Sequence, residues 1–122
     1  MRKTGLSYVK MKIYNKEQSK FEEINLLVDS GSVYTWIYEN TLKNLGIVPI
    51  GSRVFKTIEG RDIKRRIGEA VLEYEGEKRT NVVVFGNKND AEVLGVVALE
   101  NFGLEMDPIT KKLKKAETLF AI

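Results

Sequence analysis

Leu26-Leu27-Val28-Asp29-Ser30-Gly31-Ser32 runs three apolar residues straight into an acid. The apolar residues drive the backbone towards the interior, and Asp29 follows at once. A carboxylate in that position must be paired, hydrogen-bonded or protonated, because stripping water from an isolated charge is costly. Gly31 has no Cβ and lets a partner or substrate approach closely. Ser30 and Ser32 supply hydroxyls that bond a carboxylate or nearby backbone. Asp-Ser-Gly is also an ordinary turn, and average residue usage yields an Asp-(Ser or Thr)-Gly triplet by chance in about one chain of this size in twenty. Apolar Val33, Trp36 and Ile37 just beyond argue against an exposed turn. On these residues alone, a functional site and a turn both stand.

The rest of the composition narrows what Asp29 can do. The 122 residues contain neither Cys nor His. Thiolate nucleophiles, disulfides, Cys-based metal sites and the usual histidine base are therefore excluded. Proton transfer falls to Asp, Glu, Lys or Tyr. At 43% hydrophobic and 30% charged, the chain reads as one folded domain over 1–122. The absence of Cys agrees with a reducing compartment. With no apolar run of membrane-spanning length and no signal peptide after Met1, the expected location is cytoplasmic, without a membrane partner.

Working outward from Asp29, short β-type runs separated by turn residues dominate. Val9, Met11 and Ile13 alternate with lysines, giving a first strand. Phe21 to Val28 gives a second, whose apolar end is expected to be buried on both faces. Tyr38 to Leu45 has helical spacing, with Gly46 as its C-terminal cap. Val54–Ile58 and Ile63–Ile67 flank Glu59-Gly60-Arg61, a hairpin signal. Ala70, Leu72 and Tyr74 form another run, turned at Glu75-Gly76-Glu77, and Val82 to Phe85 is a short strand. Val96 to Phe102 reads as a helix closed by Gly103, and Asp107-Pro108 as a turn. The expected fold is mainly β, a closed Greek-key-like barrel of eight or nine strands with one or two short helices.

Other charged residues have plainer readings. Lys111, Lys112, Lys114 and Lys115 have no aromatic platform beside them and read as a solvated edge, so no nucleic-acid partner is expected. Glu105 and Asp107 share a strand face, but Asp107 already belongs to a turn. No metal and no cofactor are expected. Trp36 reads as core or interface packing.

Three features in order resemble the retropepsin-like aspartic proteases, the single-domain relatives of retroviral proteases. Leu27-Val28-Asp29-Ser30-Gly31-Ser32 is like that family's apolar-apolar-Asp-(Thr/Ser)-Gly-(Ala/Ser) motif. The hairpin of Ile58, Glu59, Gly60 and Arg61 lies where the family has the flap that closes over substrate. Val93-Leu94-Gly95 is like its apolar-apolar-Gly motif, followed by a short helix. Leu99 to Pro108 also resembles cellular and microbial members. The resemblance spans about Val9 to Leu113, most of the chain.

The resemblance implies one acid-protease lobe per chain and a peptide or protein substrate. It implies Asp29 as the catalytic acid, with Ser30, Gly31 and Ser32 shaping its loop and the hydroxyl of Ser30 bonding across a two-fold axis. Two carboxyls would share one proton and activate one water. Only one Asp-Ser-Gly occurs here, so a homodimer must supply the second acid isologously. Ser32 stands where retroviral members usually have Ala. Its hydroxyl, bonded to ionised Asp29, is expected to lower that acid's pKa. The flap tip carries one glycine with charged Glu59 and Arg61, and Val96 and Val97 follow Gly95 where a polar or basic residue is usual. Leu119 to Ile122 reads as a pairing strand of the dimer or as a docked terminus. Two rivals remain: a catalytically weak dimeric peptide-binding or assembly module on the same fold, and a nucleic-acid-binding barrel using the lysines near Leu113.

Overall fold

A computed structural model describes residues 7–116. The expected strand or docked terminus at 119–122 lies outside the described residues. In chain order the elements are β1 (Tyr8–Tyr14), β2 (Phe21–Val28), β3 (Thr35–Tyr38), α1 (Glu39–Asn44), β4 (Gly51–Lys56), β5 (Asp62–Tyr74), β6 (Glu77–Gly86), β7 (Val93–Leu94), α2 (Val96–Phe102), β8 (Leu104–Met106) and β9 (Leu113–Lys115). Strands alternate buried and outward residues, as a half-covered sheet requires: Met11 and Ile13 point in from β1, Ile24 and Leu26 from β2.

The main sheet runs β1-β2-β7-β3-β6-β5-β4, and β1 also pairs with β5. That extra pairing, with Ile13 opposite Leu72, closes six strands into a ring. The closed mainly β barrel with two short helices expected from the sequence is therefore present. β4 stands outside the ring, paired among the described residues only to β5, and the two form a hairpin. One contiguous core fills the interior, with Ile13, Leu26, Ile37, Leu42, Leu72 and Leu94 among its fully enclosed side chains. β8 and β9 make a separate two-stranded ribbon.

Three local expectations change. Tyr38, the first residue of the expected helix, is instead the last residue of β3. The strand's identity comes from distant partners: it pairs in parallel with β6 and meets β7 through Trp36 opposite Val93. Two short runs around Gly68 are one thirteen-residue strand, β5. A Cβ at Gly68 would lie 3.0 Å from the Phe85 ring and 3.1 Å from the Val48 carbonyl, so the glycine lets the strand pass close to both. Finally, the end of β2 is not buried on both faces. Leu27 and Val28 are half-buried, and Asn25 is exposed. The alternation of buried and exposed residues stops at Leu26, and Leu27, Val28 and Asp29 are all half-buried.

Candidate functional site

β2 delivers Asp29 to the floor of the site, and β7 holds it there. β2 and β7 are parallel, Leu27 opposite Val93 and Val28 opposite Leu94. The Asp29 N–H donates to the Leu94 carbonyl at 3.0 Å, extending that ladder by one residue. The chain then reverses through a turn in which the Ser32 N–H donates to the Asp29 carbonyl at 3.1 Å. The Gly31 N–H donates to Asp29 Oδ1 at 2.9 Å, fixing the carboxylate over its own turn. A side chain at Gly31 would place its Cβ 3.2 Å from that oxygen, so the bare glycine keeps the carboxylate uncrowded. The Asp-Ser-Gly segment is thus a turn, and one that presents a half-buried acid.

Val93-Leu94-Gly95 supports this loop from below. The Gly95 N–H donates to the buried Thr35 hydroxyl at 3.1 Å. The next two amides, Val96 and Val97 at the start of α2, donate to the carbonyls of Ser32 and Val33 at 2.8 and 3.0 Å. These bonds clamp the Asp29 loop onto the first turn of α2. A Cβ on Gly95 would sit 2.3 Å from the Tyr34 carbonyl oxygen, so the two segments meet only because it is glycine. The two motifs read from the sequence are one structural unit.

Ser32 departs from expectation. Its Oγ donates to the Tyr34 carbonyl at 2.8 Å, not to the Asp29 carboxylate. The hydroxyl lies closer to the carbonyl two residues ahead than to the acid three residues behind, and it braces the loop where tuning of the acid was expected. Ser30 is exposed.

Above Asp29 the β4–β5 hairpin roofs a cleft of about 520 Å³. Its turn is closed by the Thr57 N–H on the Arg61 carbonyl, the Gly60 N–H on the Thr57 carbonyl, and the Arg61 N–H on the Thr57 hydroxyl. Gly60 has φ +89°, the left-handed conformation expected at the hairpin tip. Ile58 is fully exposed and reaches the cleft mouth, whereas Glu59, Gly60 and Arg61 stand outside the cleft lining. The walls are apolar and aromatic: Val33, Tyr34, Trp36, Phe55, Ile63 and Val93. Phe55 of the hairpin meets the Trp36 ring edge-on at 5.0 Å. Trp36 therefore packs, as expected, but on the wall of the cleft. Phe55 and Arg53 were not singled out from the sequence, because cleft membership depends on how the hairpin folds over. Alternation of Arg53 and Phe55 along β4 was the available signal.

Asp90 on the cleft wall belongs to a half-buried ion pair. Arg65 of β5 grips Asp90 with two bonds, Nε to Oδ2 at 2.7 Å and Nη2 to Oδ1 at 3.1 Å. Burial works against the Asp90 charge. The Arg65 hydrogen bonds, the Asn87 N–H and the guanidinium's field outweigh it and hold the carboxyl below the usual carboxylate range. Elsewhere, Lys114 lies within 4 Å of Glu105 and Asp107, and Lys115 pairs with Glu77 at 3.0 Å. Two of the four clustered lysines are thus engaged with acids of their own chain. No helix among the described residues is long and apolar enough to cross a membrane.

No protein-family model matches the chain, and no curated protein matches it in sequence. Solved structures do. The EIAV protease, in complex with the inhibitor HBY-793, superposes with a TM-score of 0.61 at 13% identity, covering 80% of this chain and 88% of that one. A retropepsin-like aspartic protease from Rickettsia conorii aligns with a TM-score of 0.51 at 20% identity, over 87% of this chain and 88% of that one. The protease of simian foamy virus (mac) gives 0.51 at 20% identity, over 75% and 92%. The described chain has a retropepsin-like fold.

Proposed function

We propose that this chain is one subunit of a homodimeric aspartic endopeptidase, in which Asp29 from each of two copies activates one water. The observation that carries the reading is Asp29 itself: a half-buried carboxylate fixed by the Gly31 amide at the floor of a hairpin-roofed apolar cleft. A single chain offers one such acid-bearing loop, and the fold is that of proteins described as retropepsin-like and retroviral proteases. Two carboxyls brought together across a two-fold axis cannot both ionise readily, so they share a proton. The ionised member takes a proton from the water as it attacks the peptide carbonyl. The protonated member donates to the carbonyl oxygen, giving a tetrahedral diol, and proton return to the amine releases the products. Ser30 would secure the paired loops, and Ile58, Glu59, Gly60 and Arg61 would close over the bound peptide.

Apolar walls fit substrates with apolar residues around the cleaved bond. Replacing Asp29 by Asn leaves an amide that neither accepts nor shares the proton. Peptide hydrolysis by purified Asp29→Asn protein is expected to fall about 10³-fold or more. Turnover equal to that of the unaltered protein would remove Asp29 from the mechanism.

A further inference from the structure

The hairpin face above the cleft carries an unbalanced positive charge. In the β4–β5 register Arg53 lies opposite Arg65, and Phe55 opposite Ile63. These four share one face, because side chains alternate along each strand. That face looks into the cleft, since Phe55 packs against Tyr34 and Trp36. Like charges directly opposite one another in a sheet repel. Arg65 is relieved by the two hydrogen bonds it donates to Asp90. Lys56, the other cation of the cleft lining, is held by Asp62 at 2.7 Å. Arg53 lines the cleft, is exposed, and makes no salt bridge with any described residue. The trio of Arg53, Arg65 and Asp90 therefore presents one net positive charge beside the aromatic wall. Arg66, on the opposite face, is within 3.8 Å of Glu39 and adds nothing to it.

We infer that Arg53 is a specificity-determining residue that selects an Asp or Glu side chain in the bound peptide, at a position flanking the apolar residues held by Trp36 and Phe55. A guanidinium offers a planar fork that a carboxylate accepts with two hydrogen bonds. A peptide carboxylate is the partner that the Arg53 position lacks within its own chain. A basic peptide residue meets repulsion there, because Asp90 is already committed to Arg65. The inference rests on the proposed use of this cleft for peptides, though not on hydrolysis.

The test separates binding from catalysis. Short peptides with an apolar centre and a single Glu, Gln or Lys stepped through the flanking positions are titrated onto the full Asp29→Asn chain, with and without Arg53→Glu. At one flanking position the Arg53 protein is expected to bind the Glu peptide about fivefold more tightly than the Gln peptide, the scale of a solvent-accessible ion pair. Salt should narrow that ratio. Arg53→Glu should reverse the order in favour of Lys, and Arg53→Gln should level it. Arg53 is exposed, so these variants are expected to fold, which circular dichroism checks. A Glu-to-Gln ratio unchanged by Arg53→Glu, or no binding of any peptide, overturns the inference. Cleavage of the same peptides by the Asp29 protein is read separately. Charge selection without cleavage defeats the protease reading alone, and cleavage without charge selection defeats this inference alone.

Discussion

Gly95→Ala asks how rigidly the two motifs are locked together. Gly95 has φ −90° and ψ 175°, extended backbone that alanine adopts freely, so the substitution carries no conformational penalty of its own. Its whole effect is steric. The new Cβ would stand 2.3 Å from the Tyr34 carbonyl oxygen and 2.8 Å from that of Val33, and the first distance is about 0.7 Å inside the 3.0 Å that real contacts respect. Both neighbours are backbone, so no side chain can swing aside. The loop from Ser32 to Thr35 must lift off α2, stretching the 2.8 and 3.0 Å bonds from Val96 and Val97 and the 3.1 Å bond to Thr35. Losing two or three such bonds, with repacking, costs about 2–4 kcal/mol. For a chain of this size that lowers Tm by about 10 °C. Asp29 lies at the head of the same loop, and a displacement near 1 Å costs about 10²-fold in rate. Thermal unfolding by circular dichroism at fixed protein concentration, with kcat/KM on one peptide, measures both effects. Gly86→Ala serves as the control, because its Cβ would meet nothing closer than 3.4 Å. Should Gly95→Ala match Gly86→Ala in both Tm and rate, the clamp described here does not position the acid.

Asp90 ties stability to pH. Its folded-state pKa is depressed, so its contribution is complete above the ordinary carboxylate value of about 3.9 and is lost as pH falls through the lower folded value. Asp90→Asn should cost about 2 kcal/mol at neutral pH, and urea titrations should show the gap shrinking in strong acid; an equal gap at both extremes would deny the pair its role. Ser32→Ala removes a bond to the Tyr34 carbonyl and should cost about 1 kcal/mol. The acidic limb of its pH–rate profile should stay in place, and an upward move would mean that the hydroxyl turns to Asp29 once two chains pair. Gly60→Val forces a branched residue to φ +89° at an exposed tip with no neighbour within 4 Å. That strain, about 1–3 kcal/mol, should fall mainly on the closed hairpin, so kcat/KM should drop more than Tm; the opposite order would place the flap elsewhere.

Residues whose conformation is set by their immediate neighbours were legible in the sequence. Gly60 and Gly103 take the positive φ that a hairpin tip and a helix end require, and α2 spans the residues its spacing indicates. The turn at Asp29-Ser30-Gly31 was legible too, because these residue types favour turns. What escaped depends on distant partners. Tyr38 fits both a strand's end and a helix's start, and its pairing with Gly86 of β6 decides between them. The Ser32 hydroxyl had two acceptors within reach, and the turn's geometry chose the carbonyl. The Arg65–Asp90 pair joins residues 25 apart, so nothing local announces it. Trp36 was read as packing, and it is packed, but the hairpin that meets it makes that packing a cleft wall.

The claim that two chains each contribute one Asp29 is tested most directly by subunit mixing. The unaltered protein and Asp29→Asn protein are unfolded together, refolded at fixed total concentration in varying proportion, and assayed on one peptide. If both carboxyls are required, mixed dimers are inactive and activity follows the square of the unaltered fraction, so an equal mixture retains about one quarter. A linear decline, with about half the activity retained in the equal mixture, would mean that each chain works alone and would contradict the shared site.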